Sequence, residues 1–122
     1  MKITSFNPIY GTQNIEEALR FFEGLGFTVQ HSFDKEGFSL RSLENSEGLR
    51  VEVMDSDYVR ENNIEGYFST RLNVDNLDEA IAYFEKEGAK AITPVFKEAE
   101  TREVINYLTK NGDLYCLVHH LK

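Results

Sequence analysis

The stretch Asn14–Gly26 reads N-I-E-E-A-L-R-F-F-E-G-L-G, and 62 residues further on Asn76–Gly88 reads N-L-D-E-A-I-A-Y-F-E-K-E-G. Asn, Glu, Ala, Phe, Glu and Gly recur at matching positions of the two stretches. A period of half the chain identifies one duplicated unit rather than a stack of small repeats. Each copy is a helix with its own start and stop. Asn14 and Asn76 cap the N-termini, and Glu17 and Glu79, three residues on, are placed to return a hydrogen bond to the cap. Ile15, Ala18, Leu19 and Phe22 fall at helical spacing in the first copy, as do Leu77, Ala80, Ile81 and Phe84 in the second. Gly24 and Gly26 stop one helix and Gly88 the other.

Working outward, each helix is preceded by one strand and followed by three. Ile3–Tyr10 is β-like in composition, but Pro8 marks it as irregular or peripheral, since proline cannot donate to a ladder. Phe27–Phe33, Phe38–Leu43 and Leu49–Met54 follow, separated by turns at 34–37 and 44–48. Residues 55–66 are polar without sustained period and read as a linker. Tyr67–Val74 then alternates cleanly, and strands at 89–96, 102–109 and 113–120 complete a second β-α-β-β-β unit. The organisation is a first module over 1–55, a linker over 56–66 and a second module over 67–122.

The remaining composition bounds the partners. At 122 residues, 41% hydrophobic and 28% charged, the chain is of ordinary globular make-up. It holds no apolar run approaching the ~20 residues of a membrane helix, and its start lacks a signal-peptide core. The net charge of -8 argues against nucleic acid, which is bound by cationic side chains. One cysteine, Cys116, precludes an internal disulfide and points to a reducing cytoplasm.

Strand parity separates a helix-facing side, with Val51, Val53, Phe68 and Leu72, from a more polar side. Asn7, Arg50, Glu52, Ser69, Arg71, Asn73 and Cys116 fall on the second. A buried polar group left without a partner costs about 1–3 kcal/mol. That side is therefore either open to solvent or a ligand, or closed by an internal network of Glu52 with the arginines. Arg41 and Tyr107 are assigned to the same groove, although the Tyr107 strand does not fix its face.

The two β-α-β-β-β units, their N-x-x-E-A helix starts and the closing stretch Asn111–Val118, N-G-D-L-Y-C-L-V, resemble the vicinal-oxygen-chelate superfamily. That superfamily includes glyoxalase I, extradiol dioxygenases and bleomycin-resistance proteins. The resemblance spans nearly the whole chain. It implies an α+β fold in which two tandem βαβββ modules curl their mixed sheets into a cupped half-barrel, with the helices on the outer face. In metal-dependent members, the first and last strands of each module supply the ligands, usually His or Gln, Glu, His and Glu. By position these places fall on Asn7, Glu52, Ser69 and Cys116, so that Glu52 alone keeps a usual occupant.

An amide, a hydroxyl, a thiol and one carboxylate are a poor set for a hard or borderline divalent cation. His119 and His120 are adjacent in a strand and point to opposite faces, so at most one reaches the groove, and His31 is read on the helix-facing side. The expectation is thus a metal-free member with no cofactor and no assigned catalytic residue. Its groove is formed by Asn7, Arg41, Arg50, Glu52, Ser69, Arg71, Asn73, Tyr107 and Cys116. It binds a small molecule, sequestering an antibiotic or metabolite, and open sheet edges favour a homodimer. The acidic chain suits a cationic ligand and the groove arginines an anionic one. Two other readings stay open: a lyase or dioxygenase-type enzyme with an atypical metal site or a Cys116 nucleophile, and a regulatory module with a vestigial groove.

Overall fold

The computed structural model describes residues 1–64 and 66–121. Glu65 of the expected linker and Lys122 at the end of the second module lie outside the described residues. In chain order the elements are β1 (Ile3–Gly11), α1 (Ile15–Gly24), β2 (Thr28–Lys35), β3 (Phe38–Glu44), β4 (Arg50–Ser56), α2 (Asp57–Glu61) and β5 (Tyr67–Val74). They continue with α3 (Leu77–Lys86), β6 (Lys90–Ala91), β7 (Phe96–Ala99), β8 (Arg102–Leu108) and β9 (Leu114–His120). The α+β plan of two βαβββ modules is present, and several details depart from the sequence reading.

First, Pro8 does not make β1 peripheral. The strand is continuous and lies between β4 and β5 in the strand order. Its pairing with β4 covers only Ile9, Tyr10 and Gly11, opposite Glu52, Val53 and Met54. Ahead of Pro8, Thr4 Oγ1 donates to the Asn73 carbonyl and the Lys2 carbonyl accepts from Asp75 N–H, on the β5 side. Pro8, which has no N–H, sits where the strand hands over from one neighbour to the other. Secondly, the expected linker contains regular structure: β4 runs on to Ser56, whose hydroxyl accepts from Val59 N–H at 3.2 Å and caps the one-turn α2. Thirdly, the strand expected over 89–96 is broken into β6 and β7. Beyond Ile92 the Thr93 hydroxyl, rather than a backbone carbonyl, accepts from Asn106 N–H at 3.1 Å, and Pro94 follows.

By contacts the chain forms two compact units, Asn7–Phe68 and Met1–Phe6 with Ser69–Lys122. In the first unit β2, β3, β4 and the end of β1 lie in that order, and Ala18 and Phe22 of α1 pack on Leu43, Val51 and Val53. In the second unit the order is β1, β5, β9, β8, β6, with β7 also on β8. There Leu77 and Ala80 of α3 pack on Leu72, Val74, Ile105, Tyr107 and Leu117. Phe68, expected on a buried face, is 55% exposed and rests edge-on against Tyr10.

The repeated helices are capped alike. Asn14 Oδ1 accepts from Glu17 N–H and Asn76 Oδ1 from Glu79 N–H, both at 3.1 Å. The reciprocal bond differs from a capping box, because each glutamate accepts from the asparagine side-chain amide, at 3.3 and 3.0 Å. The free backbone N–H of Asn14 goes instead to Thr12 Oγ1 at 2.9 Å. At the other end Gly26 (φ 99) and Gly88 (φ 89) take the left-handed conformation that reverses the chain. Phe27 and Ala89 N–H then bond back to the Phe22 and Phe84 carbonyls. We expect Asn14→Ala and Asn76→Ala each to lower unfolding free energy by about 1 kcal/mol in urea denaturation.

Candidate functional site

Pairing registers define the side of each module turned away from its helix, because residues directly opposite in a ladder share a face. In the first module Ser42 of β3 lies opposite Glu52 of β4, which lies opposite Ile9 of β1. In the second, Asn106 of β8 lies opposite Cys116 of β9, which lies opposite Arg71 of β5. These are equivalent rows of the duplicated unit. Asn7 and Ser69 sit two residues before Ile9 and Arg71 on the same faces.

In the first module Glu52 is buried and accepts from Ser42 Oγ at 3.5 Å. His31 joins this row, opposite Ser42, and does not face the helix as its alternation implied. A bulge between Val29 and His31 inserts a residue and reverses parity, leaving Val29 opposite Leu43 on the helix side. Arg50 shares the face of Glu52 but lies at its exposed end, its Nε on Glu44 Oε1 at 2.8 Å. Arg41 leaves the groove assignment: it lies opposite Val53, on the side of α1, and pairs with Asp34 at 2.9 Å. That hydrogen bond holds the Asp34 carboxyl below its usual range.

In the second module the polar row is an ion-pair network. Glu98 Oε2 and Oε1 accept from Arg71 Nη1 and Nη2 at 3.2 and 2.8 Å, and Arg102 Nε lies 3.5 Å from Oε1. The Arg71 and Glu98 side chains are 7% and 3% exposed. Arg71 Nη1 also lies 4.0 Å from Cys116 Sγ, so the guanidinium reaches over β9 on its way to β7. Asn73 Nδ2 is 3.3 Å from His120 Nε2, and His120 lies opposite Arg102. Burial first, then the Arg102 and Arg71 charges, hold the His120 imidazole below its usual range.

Glu98 carries no sequence signal of its role. A bulge between Lys97 and Ala99 takes it out of the β7–β8 alternation, and no motif marks it. Tyr107 also leaves the groove. Its side chain is wholly buried in the α3 core, and its hydroxyl donates to Glu85 Oε2 at 3.0 Å. Burial, then the Glu85 carboxylate, pushes the phenol up to about 12. A raised folded pKa gives stability that is present below the unfolded value of 10.0 and lost as pH rises towards about 12. In a 295 nm titration one of the six tyrosines is expected to ionise late in the native protein, and Tyr107→Phe to remove that late step.

The residues at the resemblance's ligand positions do not suit a divalent ion. Among the described residues no group of three His, Cys, Asp or Glu side chains is placed to hold one. At Cys116 the Arg71 guanidinium already stands beside the sulfur. Two unit charges about 4 Å apart repel by about 4 kcal/mol at an effective dielectric of 20, and a divalent ion would meet twice that.

No family model matches the chain, and no curated protein matches it. Solved structures do. The chain superposes on methylmalonyl-CoA epimerase from Mycobacterium tuberculosis with a TM-score of 0.76 at 14% identity, covering 98% of this chain and 90% of that one. The fold is that of the epimerase. A hypothetical protein from Bacillus halodurans matches with a TM-score of 0.75 at 18% identity, over 98% and 97% of the two chains. The Streptomyces coelicolor epimerase in complex with 2-nitronate-propionyl-CoA gives 0.73 at 16%, over 98% and 96%. The α+β fold of two βαβββ modules expected from the duplicated helices is thereby shown.

Proposed function

We propose that this chain is a metal-free small-molecule-binding protein of the glyoxalase-type fold, which sequesters a metabolite or an antibiotic. The observation that carries this reading is the Arg71 guanidinium held over Cys116 by Glu98. A fixed positive charge stands at a place where the resemblance expects a metal ligand. Around the polar rows lie apolar side chains: Leu40 and Met54 face each other across β3 and β4, and Val104 and Val118 across β8 and β9. The homodimer remains part of this reading, with β2 an edge strand whose residues other than Phe33 are exposed.

Thermal-shift screening in EDTA, against metabolites and cationic antibiotics, tests the proposal. A compound that raises the midpoint with chelator present is the expected result. A panel that acts only after a divalent ion is added would contradict it. The fold shared with the epimerases, together with the buried Glu52 carboxylate, favours acid–base catalysis as the second reading. In that case the protein exchanges the 2-hydrogen of methylmalonyl-CoA in D2O, and Glu52→Gln abolishes the exchange.

A further inference from the structure

The two modules differ beside the N-terminus of their repeated helix. In the first, Asp55 lies three residues beyond Glu52, opposite Ser39, and Gln13 directly precedes the cap of α1. The short α2 delivers Arg60 to the space beside them. Arg60 Nη2 pairs with Asp55 Oδ2 at 2.5 Å and donates to the Gln13 carbonyl at 3.4 Å. A guanidinium thus occupies this place in the first module. In the second, the equivalents are His119, three residues beyond Cys116 and opposite Glu103, and Asp75, directly before the cap of α3. Among the described residues only Leu121 follows β9, and no side chain takes the part of Arg60. A cavity of about 520 Å3 lies there, with Asp75, Glu103 and His119 in its wall.

The rest of that wall is of two kinds. Leu77 and Ile81 of α3, with Val95, are apolar, and Asp78 adds a third carboxylate. Asp75 gives one oxygen to the Lys2 N–H at 2.6 Å, and Glu103 lies 3.9 Å from His119 Nδ1. The Asp78 carboxylate has no partner among the described residues. Lys97 lies opposite Glu103 across β7 and β8, but it is exposed and forms no ion pair with it among the described residues.

We propose that this cavity binds a small organic cation, a guanidinium or primary ammonium on a short aliphatic stem. The cationic head lies among the Asp75, Asp78 and Glu103 carboxylates, and the stem lies along Leu77, Ile81 and Val95. The site is on the helix side of the second module, apart from the polar rows, and so goes beyond the function proposed above. Its volume falls within the range of small-molecule sites, and so does its mixture of apolar wall and convergent polar groups. The sign follows from a comparison of charges. Three carboxylates outweigh the half-charge of the α3 N-terminus, which Asp78 and Glu79 of its first turn already face. The first module supplies the precedent, because the equivalent place there is filled by a guanidinium of the chain itself. A planar guanidinium can also meet a carboxylate through two parallel hydrogen bonds.

Calorimetric titration of the full chain at pH 8 with butylguanidinium and with butyrate tests this. Butylguanidinium is expected to bind and butyrate to be silent. The double variant Asp78→Asn with Glu103→Gln is expected to weaken butylguanidinium about tenfold or more while the chain stays folded by circular dichroism. Glu16→Gln removes a carboxylate at the position of α1 equivalent to Asp78, and is expected to leave the affinity unchanged. That control separates the site from the general attraction of a chain of net charge -8. Butyrate binding in place of the cation overturns the proposal, as does silence towards butylguanidinium. Unchanged affinity in the double variant, or an equal loss in Glu16→Gln, overturns the placement. None of these outcomes bears on the metal-free reading, which stands or falls by the thermal-shift screen in EDTA.

Discussion

Arg71→Met is expected to lower unfolding free energy by about 3–5 kcal/mol, because it strips a buried carboxylate of its bidentate partner. Glu98 is 3% exposed and cannot turn to water for compensation. Arg102, 3.5 Å away, retains part of the attraction and places the loss at the lower end of that range. The paired variant Arg71→Met with Glu98→Met removes both charges and fills their volume with apolar atoms. It is expected to recover most of the stability, since a buried ion pair is often no better than a packed apolar pair. Urea denaturation of the wild type, both single variants and the pair gives the coupling energy by a double-mutant cycle. A paired variant no more stable than the worse single one would show that the network acts through more than charge.

Phe22→Ala is expected to cost about 3–5 kcal/mol, the range for removing a buried aromatic from a core. The Phe22 ring is 6% exposed and meets Tyr10, Phe21 and Phe27 edge-on at centroid distances of 5.5, 5.4 and 6.1 Å. It also anchors α1 to Leu43, Val51 and Val53, and α1 is a 10-residue helix too short to persist without packing. Its counterpart Phe84 is half-buried against Tyr107 and Tyr115, so Phe84→Ala is expected to cost less. Equal losses at the two positions would contradict the packing difference between the modules.

These sites show how far the sequence could be read. The duplicated helices were legible because their signals are local: an asparagine cap, a glutamate three residues on, a helical stripe and a stop glycine. Even there the structure altered the reciprocal bond, because the side-chain amides of Asn14 and Asn76 compete with the backbone for Glu17 and Glu79. Strand parity was legible only where strands are regular. It placed Glu52, Val51 and Val53 correctly, and it failed at His31, where a bulge shifts the register. Glu98 lies at a second such shift, between Lys97 and Ala99. Arg41 and Tyr107 were assigned to the groove on chemistry, and cross-strand register puts both on the helix sides, opposite Val53 and Tyr115. Pro8 misled because a strand can change neighbours at the residue that lacks an N–H.

Strand parity suggests an internal network of Glu52 with the arginines, whereas the network in the second module joins Arg71 and Arg102 to Glu98. That arrangement gives the two halves different chemistry on a common frame. One row presents Ser42, Glu52 and Ile9, and the other Asn106, Cys116 and Arg71. The duplicated unit fixes where the rows run. In the second row the charged group is the Arg71 guanidinium, paired with Glu98.

Titration with and without a chelator distinguishes metal-free ligand binding from binding through a divalent ion. A bound small molecule is expected to keep its affinity in EDTA and to gain nothing from added zinc, nickel or manganese. Binding that is lost in EDTA and restored by a stoichiometric divalent ion would contradict it.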